Sequence, residues 1–274
     1  MSTISTYMSI ANNLAKWQTI TAEQPQVATQ KKYFQENIGG AQTIDQFVNN
    51  PRLFNYAMTA FGLGDMTYAK GLMKEVLQQG VSSSAALANT LNNPDILAFA
   101  KAFDFADNGS STTSSSSLQS TVVNNYVMNT LETNQGQQDP GVQLALYFQQ
   151  NAPNVTNVYG ILADKNLLTV VQTALGISPD TSAEPIDTQA ALLGDKLNIA
   201  DFQNPAKLQS FIERFAAMYD ASNASSTSSS YTASNAPNAL LLGASNVASG
   251  GTQGIDPTLL LSAQNLNAAG SFLL

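Results

Sequence analysis

The stretch at 45–63, DQFVNNPRLFNYAMTAFGL, carries an Asn-Pro step, then apolar residues three and four apart, then a glycine. Its pattern returns in LANTLNNPDILAFAKAF (87–103), YGILADKNLLTVVQTALGI (159–177) and ADFQNPAKLQSFIERF (200–215). Each copy turns on an Asn or Asp, usually followed by Pro: Asn50-Pro51, Asn93-Pro94, Asp164-Lys165 and Asn204-Pro205. Such side chains accept a hydrogen bond from a free N–H at a helix start, and Pro fits the first helical position because no N–H is needed there. An apolar stripe follows in every copy. It comprises Leu53, Tyr56, Ala57, Ala60 and Phe61, then Ile96, Phe99, Ala100 and Phe103. The later copies give Leu167, Val170, Val171, Ala174 and Leu175, then Leu208, Phe211, Ile212, Phe215 and Ala216. This is the spacing of a half-buried helix. Gly62 and Gly176 stand where a helix would be stopped by a left-handed residue.

A longer similarity overlies the short one. YFQENIGGAQTIDQFVNNPRLF (33–54) aligns without a gap on YFQQNAPNVTNVYGILADKNLL (147–168), and the register holds to TAFGL (59–63) against TALGI (173–177). Strand-like alternation is sparse. The chain is therefore expected to be all-α, an internally duplicated helical bundle. Its expected divisions are a first half at 1–106, a Ser-rich flexible linker at 107–120 and a second half at 121–220. A low-complexity flexible segment at 221–254 and an apolar C-terminal tail at 255–274 follow. One amphipathic helix cannot bury its stripe alone, and stacked copies bury one another.

Composition narrows the chemistry. The 274 residues are 43% hydrophobic, which suffices for a large core, but only 11% charged, with a net charge of −8; about 25% charged is usual. The basic residues are scattered, so no nucleic-acid partner is expected. The chain has no Cys and no His. That excludes zinc sites of the usual kind, Cys nucleophiles, Ser-His triads and disulfides. No run reaches the length of a membrane-spanning helix, and MSTISTYMSIANNLAKW (1–17) is not patterned as a Sec signal peptide. No membrane insertion is expected.

Motif by motif, catalysis finds little footing. GLGDMT (62–67) opens like a phosphate loop but lacks its Gly-Lys-Ser/Thr ending, so it reads as a helix end and turn. DFADNG (104–109) opens like a calcium loop, yet Ala106 and Ser115 occupy ligand positions. The carboxylate pairs weighed for acid–base work are Asp104 with Asp107, Glu184 with Asp187, and Asp195 with Asp201; none lies in a cleft-forming motif. No catalytic, cofactor-binding or metal residues are assigned, and no cofactor is expected. The aromatic residues on the stripes read as core, with a ligand pocket between the halves as the other reading. Trp17 is expected to pack the first helix onto the body. In the tail, Leu259, Leu260, Leu261, Leu266 and Phe272 form an apolar cluster, read either as docking on its own body or as an interaction element for another chain.

The FVNNPRL…AFGL units, the NP-capped helices and the GIDPTLLLSAQNL tail together resemble an uncharacterised domain-of-unknown-function family of alphaproteobacteria whose genes commonly sit in flagellar clusters. The resemblance spans about residues 1–220. It implies a link to the flagellum and motility, and it carries over no functional residues. The composition is also similar to that of flagellar axial proteins, which the flagellar type III apparatus exports unfolded. Axial proteins usually carry heptad-rich helices at both ends, and sustained heptads are absent here. The resulting expectation is a non-enzymatic structural or assembly protein of the bacterial flagellum, exported without a Sec signal and acting by protein–protein contact. Its expected partners are flagellar or other bacterial proteins, or further copies of itself. The alternative is a cytoplasmic helical adaptor or export chaperone for a flagellar component. A third class, a small-molecule-binding or hydrolytic helical protein, would be favoured by a conserved cleft lined with acidic residues.

Overall fold

The computed structural model describes residues 2–229, and among them every regular element is helical. The first elements are α1 (Thr3–Ala11), α2 (Leu14–Ala22), α3 (Pro25–Asn37), α4 (Ile44–Asn49) and α5 (Pro51–Ala60). They are followed by α6 (Lys70–Gln79), α7 (Leu87–Thr90), α8 (Pro94–Ala102) and α9 (Phe105–Asn108). The long α10 (Ser116–Gly136) comes next, then α11 (Pro140–Asn151), α12 (Val158–Leu162), α13 (Lys165–Leu175), α14 (Ile186–Gly194) and α15 (Pro205–Ser229). Short 3-10 turns join several of them.

All four expected caps form. Asn50 Oδ1 accepts from the N–H groups of Arg52 and Leu53, each at 3.2 Å. Asn93 does the same at 3.0 and 2.9 Å, Asp164 at 2.8 and 3.0 Å, and Asn204 at 3.1 and 3.2 Å. Each satisfies two amides that a helix start would leave free, and each is worth about 1 kcal/mol. At the other end, Gly62 and Gly176 both have positive φ, +73° and +65°. In each case the glycine N–H donates three residues back, and the next N–H donates five back: Leu63 to Met58 at 2.8 Å, and Ile177 to Gln172 at 2.9 Å. These paired bonds close the last turn and point the chain away.

The stripes bury themselves in two cores. Phe34, Phe47, Phe54, Phe99 and Phe103 fill the first, with Phe47 stacked on Phe103 at 4.7 Å between ring centres. Phe148, Ile161, Val170, Val171, Phe202, Ile212 and Phe215 fill the second, with Phe148 edge-on to Phe202 at 5.1 Å. Helix pairing follows one scheme twice: α3 packs on α5, and α4 on α5 and α6; α11 packs on α13, and α12 on α13 and α14.

The sequence divisions at 106 and 121 do not coincide with the cores. Tyr7 and Ile10 of α1 are buried in the second core, and α1 lies on α11. Thr3 secures it there, its hydroxyl donating to Asp139 at 2.9 Å and its amide to Asp220 at 2.8 Å. Helix α10 serves both cores, with Leu118 and Val122 in the first and Met128 and Leu131 in the second. Trp17, on α2, packs half-buried against the second core.

The expected flexible linker at 107–120 is instead ordered. Residues 109–114 form 3-10 turns and Ser116 opens α10. Its hydroxyls find carbonyls near and far: Thr112 donates to Asp104 O at 3.1 Å, and the buried Thr113 donates to Ala41 O at 3.1 Å. Ser115 caps α10 by accepting from Leu118 N–H. Small hydroxyl residues that look disordered by composition thus act as cap and ties. Helix α15 likewise continues past the expected boundary at 220. The tail residues Leu259, Leu260, Leu261, Leu266 and Phe272 lie outside the described residues.

Candidate functional site

None of the carboxylate pairs weighed from the sequence forms a site. Asp104 caps α9, accepting from Asp107 N–H at 3.3 Å, and Asp107 accepts from Ser82 Oγ at 2.9 Å. Asp187 accepts from Tyr159 Oη at 3.1 Å on the surface, and Asp201 pairs with Lys207 at 2.7 Å. Asp195 terminates α14 and Glu184 is exposed. Among the described residues no group of carboxylates is arranged to hold a metal ion, and no helix is long and apolar enough to cross a membrane.

The chemically distinctive place lies where the two cores meet. A recess of about 270 Å³ is bounded on one side by the end of α5, with Ala60, Phe61 and Gly62, and by Asp95 and Ala98 of α8. Helix α10 contributes Asn125, Asn129 and Glu132. Helix α11 and the turn after it contribute Tyr147, Gln150, Asn151 and Asn154. Among the described residues no Lys or Arg lines it.

Local folding explains how acids come to lie there. Asp95 sits in the first turn of α8, where the helix dipole favours an anion. Asp164 caps α13 through one oxygen, and its other oxygen accepts from Tyr147 Oη at 2.6 Å. Glu132 is only 5% exposed, on the part of α10 that runs between the cores.

Burial dominates the electrostatics. Loss of water pushes the Glu132 carboxyl up to about 8, and the nearby charge of Asp95 adds to it. Asp95 is pushed up to about 6, by burial first and by Asp164 second. The Tyr147 hydroxyl is raised by burial, then by Asp95 and Asp164. Burial thus favours the protonated carboxyl on α10, next to an aspartate that also holds its proton above the usual carboxylate range.

Its hydrogen bonding is incomplete in one sense only. Among the described residues the buried Glu132 Oε1 and Gln150 Oε1 have no partner; the amide oxygen only accepts, and the carboxyl becomes acceptor-only once it ionises. Buried polar atoms are nearly always paired, so two orphaned acceptors on one recess mark an unfilled demand for donors. The sequence reading missed this site because its members come from α8, α10, α11 and the start of α13, too far apart in the chain for a spacing rule. One cue was present: in the gapless alignment Asp164 stands where the first half has Asn50.

A wider groove of about 500 Å³ lies on the second half, lined by Leu197, Phe202 and Phe211 with Lys196, Lys207 and Arg214. Nearby helices α12 and α14 leave Tyr159 and Ile186 exposed, at 51% and 56%.

Comparison with known proteins gives a family and a fold. A family model described as a protein of unknown function (DUF1217) matches residues 60–208. A protein of Agrobacterium tumefaciens, solved by X-ray crystallography as a structural genomics target, is similar in structure with a TM-score of 0.76. It is 37% identical, over 81% of this chain and 97% of its own. A search of curated proteins gives no significant match.

Proposed function

Given that this chain belongs to the DUF1217 family of proteins of unknown function, we propose that it is a non-enzymatic flagellum-associated protein, structural or assembly-related, that works by protein–protein contact. The observation that carries this reading is compositional: no Cys, no His and only 11% charged residues on a chain with two well-filled helical cores. A surface poor in charge costs little to desolvate, which suits burial against other subunits. The resemblance to a family whose genes sit among flagellar genes gives the context. Tyr159 and Ile186, each exposed on helices that pack together, add apolar surface for a neighbour to cover.

The proposal predicts lost or altered motility in a clean deletion strain. Normal swimming with normal filaments would overturn it. The lack of terminal heptads favours an accessory or assembly role over a rod, hook or filament subunit. It also keeps one alternative in play, a cytoplasmic adaptor or export chaperone. Cell fractionation separates the two, since the first appears with filaments or in the medium and the second stays inside.

A further inference from the structure

We propose that the recess between the two cores is a binding site for a small organic cation, an ammonium or guanidinium group, held by Glu132, Asp95 and Gln150. The proposal stands on the cleft alone and is independent of the flagellar reading.

Three features of the recess define the ligand. Of its two orphaned buried atoms, Gln150 Oε1 only accepts and Glu132 Oε1 accepts once the carboxyl ionises, so a partner that satisfies both donates. Its carboxyl groups, Asp95 and Glu132 on the wall and Asp164 behind Tyr147, have no Lys or Arg beside them among the described lining residues, so the donor should be a cation. Its volume, about 270 Å³, is below the range of about 300–1,000 Å³ usual for drug-sized ligands. A charged nitrogen head on a short chain matches all three. Ammonium presents three donors and guanidinium five, with no acceptor to clash with the carboxylates.

In the free site burial and the neighbouring Asp95 favour the protonated form of Glu132. An arriving cation reverses both penalties. Glu132 then ionises and its proton passes to solvent, leaving a paired carboxylate in place of an unpaired carboxylic acid. No covalent bond is made or broken in the ligand. Asp95 shares the charge from α8, and the amides of Asn125 and Asn129 border the site on α10. The cation could be a free metabolite or the Arg or Lys side chain of a partner protein; the head-group chemistry is the same.

Calorimetric titration of the full chain tests this, with agmatine and n-butylammonium as free cations, a blocked Gly-Arg-Gly peptide as the side-chain source, and n-butylurea as a neutral control. Saturable binding of a cation at pH 7.5 is expected, with the neutral control at least tenfold weaker. The heat should depend on the buffer, as release of a proton requires. Glu132→Gln, nearly isosteric, should weaken binding at least tenfold and abolish the buffer dependence; Asp95→Asn should weaken it while leaving the fold's circular dichroism intact. If the peptide binds and the free cations do not, the source is a partner side chain, and the reverse marks a metabolite. The proposal is overturned if no cation binds saturably, if the neutral control binds equally, or if both variants fold and bind as the parent does.

Discussion

The pair Tyr33–Asn50 in the first half and the pair Tyr147–Asp164 in the second occupy matching places. Each couples the helix before a capping turn to the cap itself, 17 residues on. In both halves an Asn one turn later donates to the tyrosine's carbonyl: Asn37 to Tyr33 at 2.7 Å and Asn151 to Tyr147 at 3.0 Å. The backbone solution is the same, and the chemistry is opposite. In the first half Asn50 Nδ2 donates to Tyr33 Oη at 3.3 Å, and Arg52 lies 3.6 Å over the Tyr33 ring. In the second the tyrosine donates to a carboxylate, and the charge of Asp164 reaches Asp95. One half closes its junction with neutral amide and cation; the other opens it to an acidic recess. A cap position, where Asn and Asp serve equally well, could change in charge without loss of fold.

The largest effect should come from the two cores. Phe34 and Phe148 are both fully buried at matching places. Replacing either by Ala should cost about 3–5 kcal/mol by denaturant unfolding. Since α10 contributes to both cores, unfolding of the parent should remain a single transition by fluorescence and circular dichroism. Two separable transitions would mean that the halves are independent.

Next comes the pH response of the acidic junction. A carboxyl whose native value lies above its ordinary one binds its proton more tightly folded than unfolded, so stability falls as pH rises. For Glu132 the window runs from its ordinary 4.5 up to about 8, and for Asp95 from 3.8 to about 6. Tyr147 faces the same space, with Asp164 bonded to its hydroxyl from behind. Glu132→Gln should therefore stabilise the protein at pH 9, by an amount on the order of a few kcal/mol, and do little at pH 5. An unchanged pH–stability profile in this variant would count against the assignment.

Converting the second junction toward the first is a subtler test. Asp164→Asn keeps the cap and removes a charge, so stability at pH 7 should change by no more than about 1 kcal/mol. The midpoint of Asp95 should fall, and NMR titration of the Asp95 carboxyl would show it. Smallest of all is the contrast between the stopping glycines. Gly176→Ala meets nothing within 4 Å among the described residues and should cost only the left-handed penalty, about 1 kcal/mol. Gly62→Ala would place its Cβ 3.4 Å from Asp95 Oδ2, and should cost somewhat more by thermal unfolding.

The helices were legible because their signals are local. A cap, a stripe and a terminal glycine all fall within one segment, as Asn50, Leu53 to Phe61 and Gly62 do. The Ser-rich run at 107–120 misled because composition does not show that Thr113 will meet Ala41 O. The crossing of α1 to the second core depends on Thr3 finding Asp139 and Asp220, contacts no spacing rule encodes. The recess was illegible for the same reason. Glu132 stands in a helix whose apolar residues serve two cores, so no single stripe marks it as buried.

The state of that one side chain decides most of the account. In the ligand-free full-length protein, carbonyl-labelled NMR should follow the Glu132 carboxyl through a pH titration with a midpoint at about 8, so that it is mostly protonated at pH 7. A midpoint in the ordinary glutamate range, near 4.5, would show a hydrated carboxylate and contradict the buried acidic recess on which the cation site depends.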